Sequence, residues 1–230
     1  MNTYQSKLLK KEEVARGTTA FHFEKPKGFT FVAGQYADLT ILDPAETDQE
    51  GNIRTFSIAS APFDPDLVFA TRMRDTAFKR QLGKMPEGTA LQIDGPYGSF
   101  TLHAKKERPA VFIAGGIGIT PFMSILRTAG KEKPDRKFYL FYSNHARNDA
   151  AFLDELSRLT EEIPDFTFVP VMSDTEGHIT DQTVRKHIEH VDGPVYYLAG
   201  PPAMVAAMRE MLAGMGISED DIRFEEFAGY

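Results

Sequence analysis

The chain has 230 residues, 42% of them hydrophobic and 26% charged, enough for one large or two modest domains with buried cores and unlike a disordered or fibrous chain. Its 33 acidic and 26 basic residues leave a net charge of −7, the wrong sign for a phosphate-backbone binder, so no nucleic-acid partner is expected. Cysteine is absent, which excludes disulfides, thiolate catalysis, cysteine-ligated zinc and a cysteine-held iron–sulfur cluster within this sequence.

The first residues, MNTYQSKLLKKEEVARG, contain no apolar core of signal-peptide type. No later segment reaches the run of about 18 apolar residues that a membrane span needs, so stable membrane insertion is not expected and the chain reads as cytoplasmic. Up to about residue 103 short apolar stretches (TTAFHFEK, GQYADLTIL, NIRTFSIAS, DLVFATRMR, TALQIDG) are broken by Gly, Pro, Asp and Asn, with one helical stretch, TAFKRQLGKM. That spacing predicts an antiparallel β-barrel or sandwich. Beyond LHAKKERP the texture changes. RPAVFIAG, KFYLFYS, DFTFVPVM and PVYYLAG are dense apolar runs, and each of the first three is followed by a helical pattern. Strands of that kind are covered on both faces, so this half is predicted to be α/β with a parallel sheet. The fold class is therefore all-β followed by α/β, divided into residues 1–104 and 105–230 at the charged, proline-containing stretch Lys105–Pro109.

Within the second half AVFIAGGIGITP is a strand leading through Gly115, Gly116 and Gly118 into a helix opened by Thr120 and Pro121. Glycines at such a turn admit a pyrophosphate close to the backbone, where the free N–H groups and dipole of the helix N-terminus stabilise its charge. Thr120 is expected to be the N-cap and Pro121 to sit in the first turn. A tight turn without a ligand explains the glycines alone equally well. A second turn, LAGPPAMVAAM, places Gly200, Pro201 and Met204 at another strand end. Two such turns at the carboxyl ends of parallel strands are where an open α/β sheet holds its ligand.

RTFSIASAP, DGPYGSF, AGGIGITP, AGPPAM and the terminal FEEFAGY, in this order and spacing, resemble the ferredoxin–NADP reductase superfamily over essentially the whole chain. The resemblance implies a flavin-binding antiparallel barrel followed by a nucleotide-binding α/β domain. It further implies that Arg54 neutralises the flavin phosphates, that Phe56 stacks on the isoalloxazine, and that Ser57 hydrogen-bonds near the flavin N5 that accepts hydride. Thr71, Arg72 and Met73 would line the outer flavin site, with Thr76 and Lys79 at the helix start; the family often has Gly-x-x-Ser there, so FAD is expected with FMN the second choice. Ala199 stands where the family has a cysteine beside the nicotinamide. Ser143, Asn144 and Arg147 fall where the family recognises the adenosine ribose and do not decide between NADH and NADPH, while Asp149 is expected to cap the next helix. At the C-terminus Phe227 or Tyr230 would shield the flavin face used by nicotinamide, with Glu226 near the reacting ring; an edge strand docking an aromatic into the core is the alternative.

Six histidines are scattered along the chain, and the pair His187 and His190 lacks a third ligand, so no metal site is expected. The chemistry implied by the resemblance is hydride transfer from NAD(P)H to bound flavin, then electron transfer to a separate acceptor such as a ferredoxin, flavodoxin or oxygenase component. A flavin or ferric reductase with a small-molecule acceptor, or an electron-transfer subunit of a larger complex, are the alternatives.

Overall fold

The structure, a computed structural model, describes residues 3–227. In its first half, strands β1 (Thr3–Ala15), β2 (Thr18–Glu24), β3 (Tyr36–Thr40), β4 (Ile53–Ser57), β5 (Asp66–Arg72) and β6 (Ala90–Tyr97) form an antiparallel sheet in the order β4-β3-β6-β1-β2-β5. The sheet curls toward closure, because Ala59 N, just past β4, donates to Val68 O of β5 at 2.8 Å and so joins the two ends of that order. Period-two alternation separates two surfaces. Phe21 and Phe23 of β2 and Leu67 and Phe69 of β5 fill the barrel with Leu39, Leu91 and Ile93. Their neighbours Ala20, Val68 and Ala70 face the other way and pack into the core of the second half. One helix, α1 (Ala77–Lys84), covers the barrel through Phe78 and Leu82; Thr76 is its N-cap, accepting from Lys79 N at 3.3 Å.

In the second half, β7 (Ala110–Gly115), β8 (Phe138–Asn144), β9 (Phe166–Met172), β10 (Val195–Gly200) and β11 (Ile222–Glu226) make a parallel sheet in the order β11-β10-β7-β8-β9. The dense apolar runs have a direct cause. Ala110, Phe112 and Ala114 of β7 pack beneath α2 (Thr120–Glu132) and α3 (Leu153–Glu162), while Val111 and Ile113 pack beneath α4 (Asp181–Arg185) and α5 (Pro202–Gly214). Phe112 is fully buried, its ring 4.8 Å from that of Phe122 and 5.5 Å from that of Tyr197. After β7 the chain winds to β8 and β9 on one side and then crosses to β10 and β11 on the other, which puts the topological switch point between β7 and β10. Ligands of open α/β sheets bind outside the strand ends at that point. Among the described residues no helix is long and apolar enough to cross a membrane.

Two local expectations are corrected. Thr120 is not the N-cap of α2: Gly116, at φ +53°, turns the chain into a 3-10 turn (Gly116–Ile119) that runs straight into the helix, so Thr120 is already helical and its hydroxyl donates to Ile117 O at 3.0 Å. Asp149 does not cap α3, whose N-cap is Phe152; its buried carboxylate accepts from Arg16 Nε and Nη2 at 3.1 and 2.8 Å and ties β1 to the second half.

Candidate functional site

A cleft of about 320 Å³ opens where the barrel meets the carboxyl ends of the parallel strands. Its barrel wall is the strand Arg54, Thr55, Phe56 and Ser57, with Ala70, Thr71 and Arg72 at the end of β5 and Thr76 and Lys79 at the start of α1. Ile117 and Thr120 of the β7–α2 turn and Phe227 after β11 complete it. The sequence reading thus finds Arg54, Phe56, Ser57, Thr71, Arg72, Thr76, Lys79, Thr120 and Phe227 brought together. It missed Glu50, Thr55, Ala70 and Ile117: the last three are small or apolar residues whose only signal is adjacency to the residues it found, and Glu50 stands in a loop whose path brings it to the cleft. Met73 is not among the residues of the cleft. Its side chain packs on the barrel core under α1, where a Cβ on Gly83 would meet its Cε at 2.9 Å.

The cations of the cleft differ in how far they are satisfied. Arg54 is saturated: Nη1 donates to the carbonyls of Glu50, Gly51 and Ile53 at 2.9, 3.1 and 2.7 Å, and Nη2 pairs with Asp48 and Glu50 at 3.0 and 2.9 Å. Asp48 also accepts from Ala77 N at 3.0 Å, so one carboxylate bridges Arg54 and the N-terminus of α1. By contrast Arg72 and Lys79 form no ion pair among the described residues; Arg72 Nε is buried without a partner, and Lys79 Nζ donates to the Arg72 carbonyl at 2.9 Å. Burial, then the neighbouring Arg74 and Arg54, draws the Lys79 ammonium below its ordinary range. Arg72 and Lys79, neither in an ion pair among the described residues, make this end of the cleft receptive to an anion, while Glu50 in the same lining offsets part of the Lys79 charge and Asp48 already occupies the α1 N-terminus.

Across the cleft the glycines have a packing reason. A Cβ on Gly115 would lie 2.2 Å from Met204 Sδ and 3.1 Å from Pro201 Cδ, and one on Gly118 would lie 2.2 Å from Ala199 O. The β7–α2 and β10–α5 turns therefore touch backbone to backbone at the switch point, with Gly116 between the two contacts and Gly200 3.2 Å from Gly115 on the same measure. Pro121 is buried in the first turn of α2. Farther along the strand ends, Ser143 is half-buried and Asn144 is buried with neither amide atom hydrogen-bonded. Arg147 is exposed and lines a separate groove with Arg16 and Phe152, so the structure does not bring it to Ser143 and Asn144 as one cluster.

At the C-terminus β11 pairs with β10 in parallel, and Phe227 N donates to Gly200 O at 3.0 Å, which seats Phe227 over the cleft. Tyr230 lies outside the described residues. Glu226 is exposed, whereas its neighbour Glu225, which the sequence reading passed over, turns inward, its Oε1 3.9 Å from where a Cβ on Gly98 would stand. Gly98 abuts Tyr36, which is in register with Ser57. Burial pushes the Glu225 carboxyl up to about 7. A folded-state value raised above 4.5 means that the folded protein holds the proton more tightly than the unfolded chain, so stability is lost as pH rises through the window from 4.5 to about 7. The melting temperature of the wild type should accordingly fall relative to Glu225→Gln across that window; a parallel pH dependence for the two proteins would exclude a protonated, half-buried Glu225.

Residues 112–210 match the family model described as "Oxidoreductase NAD-binding domain". The reductase component of propane 2-monooxygenase from Rhodococcus jostii is 30% identical over 219 residues, 88% of this chain and 57% of that protein. This chain spans between 57 and 61% of the length of that relative and its counterparts in Mycolicibacterium goodii and Mycolicibacterium smegmatis. A cytochrome P450 reductase from Amycolatopsis superposes with a TM-score of 0.84 at 26% identity, covering 98% of this chain and 70% of that one. A ferredoxin NADP+ reductase from Neisseria gonorrhoeae, solved with bound FAD and NADP, shares the fold with a TM-score of 0.84 at 21% identity, over 98% of this chain and 99% of that one.

Proposed function

Because this chain belongs to the ferredoxin–NADP reductase superfamily, we propose that it is the reductase unit of an electron-transfer system, taking hydride from NAD(P)H onto bound FAD and delivering electrons to a separate acceptor. The observation that carries the reading is the cleft itself: a wall with Arg72 and Lys79 on the barrel, faced by Ile117 and Thr120 of the β7–α2 turn at the switch point of the parallel sheet. The division at 104/105 then separates a flavin-binding from a nicotinamide-binding domain, and the acceptor is an oxygenase component or an electron carrier that serves one, as the names of its relatives suggest. A cytoplasmic site suits such a reductase.

Bound flavin supplies the redox chemistry, accepting two electrons as a hydride and releasing them singly. The residues of this chain supply position. Arg72, Lys79 and the Thr76 cap hold the phosphates; Ser57 lies on the wall where the ring's reactive edge would rest, and Phe56, its ring 5.9 Å from Phe78, stiffens that wall. Phe227 covers the nicotinamide side and excludes water until the cofactor displaces it. Gly115, Gly116, Gly118, Gly200, Pro201 and Met204 shape the turn for the nicotinamide dinucleotide, and Ser143 and Asn144 meet its adenosine end, without Arg147, which lines a separate groove. Glu225, half-buried beside Gly98, would stand toward the ring-binding wall, whereas Glu226 is exposed.

The test is reconstitution. Apoprotein titrated with FAD should quench flavin fluorescence at one FAD per chain and bind FMN more weakly, because the outer phosphate site would go unused. Equal affinity for riboflavin, FMN and FAD would remove the phosphate-binding role from Arg72 and Lys79.

A further inference from the structure

The amino-terminal edge of the parallel sheet, opposite the cleft, holds a second cavity of about 410 Å³ between the barrel and the far end of α2. Phe31, Val32, Leu102, Ile125, Ala129 and Phe138 give it an apolar wall. Set into that wall is Arg136, only 8% exposed. Its Nη2 donates to His103 O at 2.9 Å, its buried Nη1 has no acceptor, and it forms no ion pair among the described residues. Burial lowers its pKa, and the opposing pull of Tyr197 and Glu107 does not outweigh it.

A guanidinium is always charged and is normally paired when buried, because removing it from water is costly unless an anion or a full set of acceptors replaces the solvent. Among the described residues Arg136 finds one acceptor for its five N–H donors. The neighbouring groups do not supply the charge. Both ring nitrogens of His103 are engaged, by the Tyr197 hydroxyl at 2.9 Å and the Arg108 carbonyl at 3.2 Å. Lys106 and Glu132 stand at the exposed rim with opposite signs. The volume falls in the range of small-molecule sites, about 300–1,000 Å³, which characteristically join apolar walls to a few fixed polar groups.

We propose that this cavity binds a small monocarboxylate with an apolar body, its carboxylate on Arg136 and its hydrocarbon against Phe31, Ile125 and Phe138. α2 begins at the Gly116 turn that borders the cleft and ends at this cavity, so the site lies about 20 Å away along that one helix, from 13 residues at about 1.5 Å each. It is distinct from the flavin and nucleotide sites.

Calorimetric titration of the flavin-loaded protein with benzoate should show one saturable site, and benzamide, the same shape without the charge, should show none. Arg136→Met should weaken benzoate binding by roughly tenfold or more, the value of a charge-assisted hydrogen bond, while keeping flavin content. Absence of saturable benzoate binding, equal binding of benzamide, unchanged affinity in Arg136→Met, or inorganic phosphate binding as tightly as benzoate would each overturn the proposal. If Arg136→Met does not fold, the comparison of benzoate, benzamide and phosphate on the wild type decides the matter.

Discussion

Arg72→Glu is expected to lower FAD affinity by about a hundredfold or more while leaving the melting temperature of the apoprotein nearly unchanged. Arg72 ends β5, and among the described residues its Nε is buried without a partner and its one side-chain hydrogen bond, Nη2 to Asp149 O, is long at 3.4 Å. Losing one charge-assisted hydrogen bond to a phosphate costs about 1.5–3 kcal/mol, and a carboxylate in its place adds repulsion. Little in the apoprotein depends on the guanidinium, so folding should be spared. Arg54→Ala is the instructive contrast. Arg54 holds the carbonyls of Glu50, Gly51 and Ile53 and the carboxylates of Asp48 and Glu50, so its removal should loosen that loop and lower stability together with flavin binding. Fluorescence titration with FAD and a melting curve of each apoprotein make the comparison. Wild-type FAD affinity in Arg72→Glu would take the phosphate role away from this residue.

The second large effect is expected at Gly118. A methyl group there would sit 2.2 Å from Ala199 O and 2.5 Å from Ala199 C, both backbone atoms of a buried strand end, so the two turns must part. Gly118→Ala should cost about 1–3 kcal/mol of stability through overpacking, or several degrees of melting temperature in a domain of this size. On the function proposed above the displaced atoms would border the nicotinamide, so the KM for NAD(P)H should rise by roughly tenfold or more, in keeping with the sensitivity of reaction geometry to displacements of about 1 Å. FAD affinity should hold. Gly214→Ala, in α5 with nothing within 4 Å of the added carbon, is the control and should be neutral or slightly stabilising. A Gly118→Ala variant with wild-type stability and KM would show that the turns do not depend on that contact.

The architecture was legible because its causes are local. β7 is apolar on both faces since helices cover both, and that shows as an unbroken run; successive residues of β2 and β5 face opposite ways, one set filling the barrel and the other packing into the core of the second half. The glycine turns were legible as well, although their first reason is the approach of one turn to the other. What escaped depends on tertiary placement. Thr120 has the chemistry of an N-cap, but Gly116 starts the helical turn earlier and leaves the hydroxyl inside it. Asp149 has the chemistry of a cap and is taken by Arg16, 133 residues away in sequence. Whether Glu225 or Glu226 faces inward is a question of register against β10, which alternation alone cannot answer on a five-residue edge strand. The capture of Arg54 by Asp48 and Glu50 likewise depends on the path of a loop rich in turn residues.

The central claim is that one chain binds flavin in the cleft and accepts hydride there from a nicotinamide. Anaerobic addition of NADH or NADPH to the purified, FAD-loaded protein, followed by visible absorbance, tests it directly, and comparing kcat/KM for the two donors then assigns the nucleotide. At least one donor should bleach the flavin fully at one equivalent, with the colour returning on addition of ferricyanide; a flavin that stays oxidised with both donors would contradict the account.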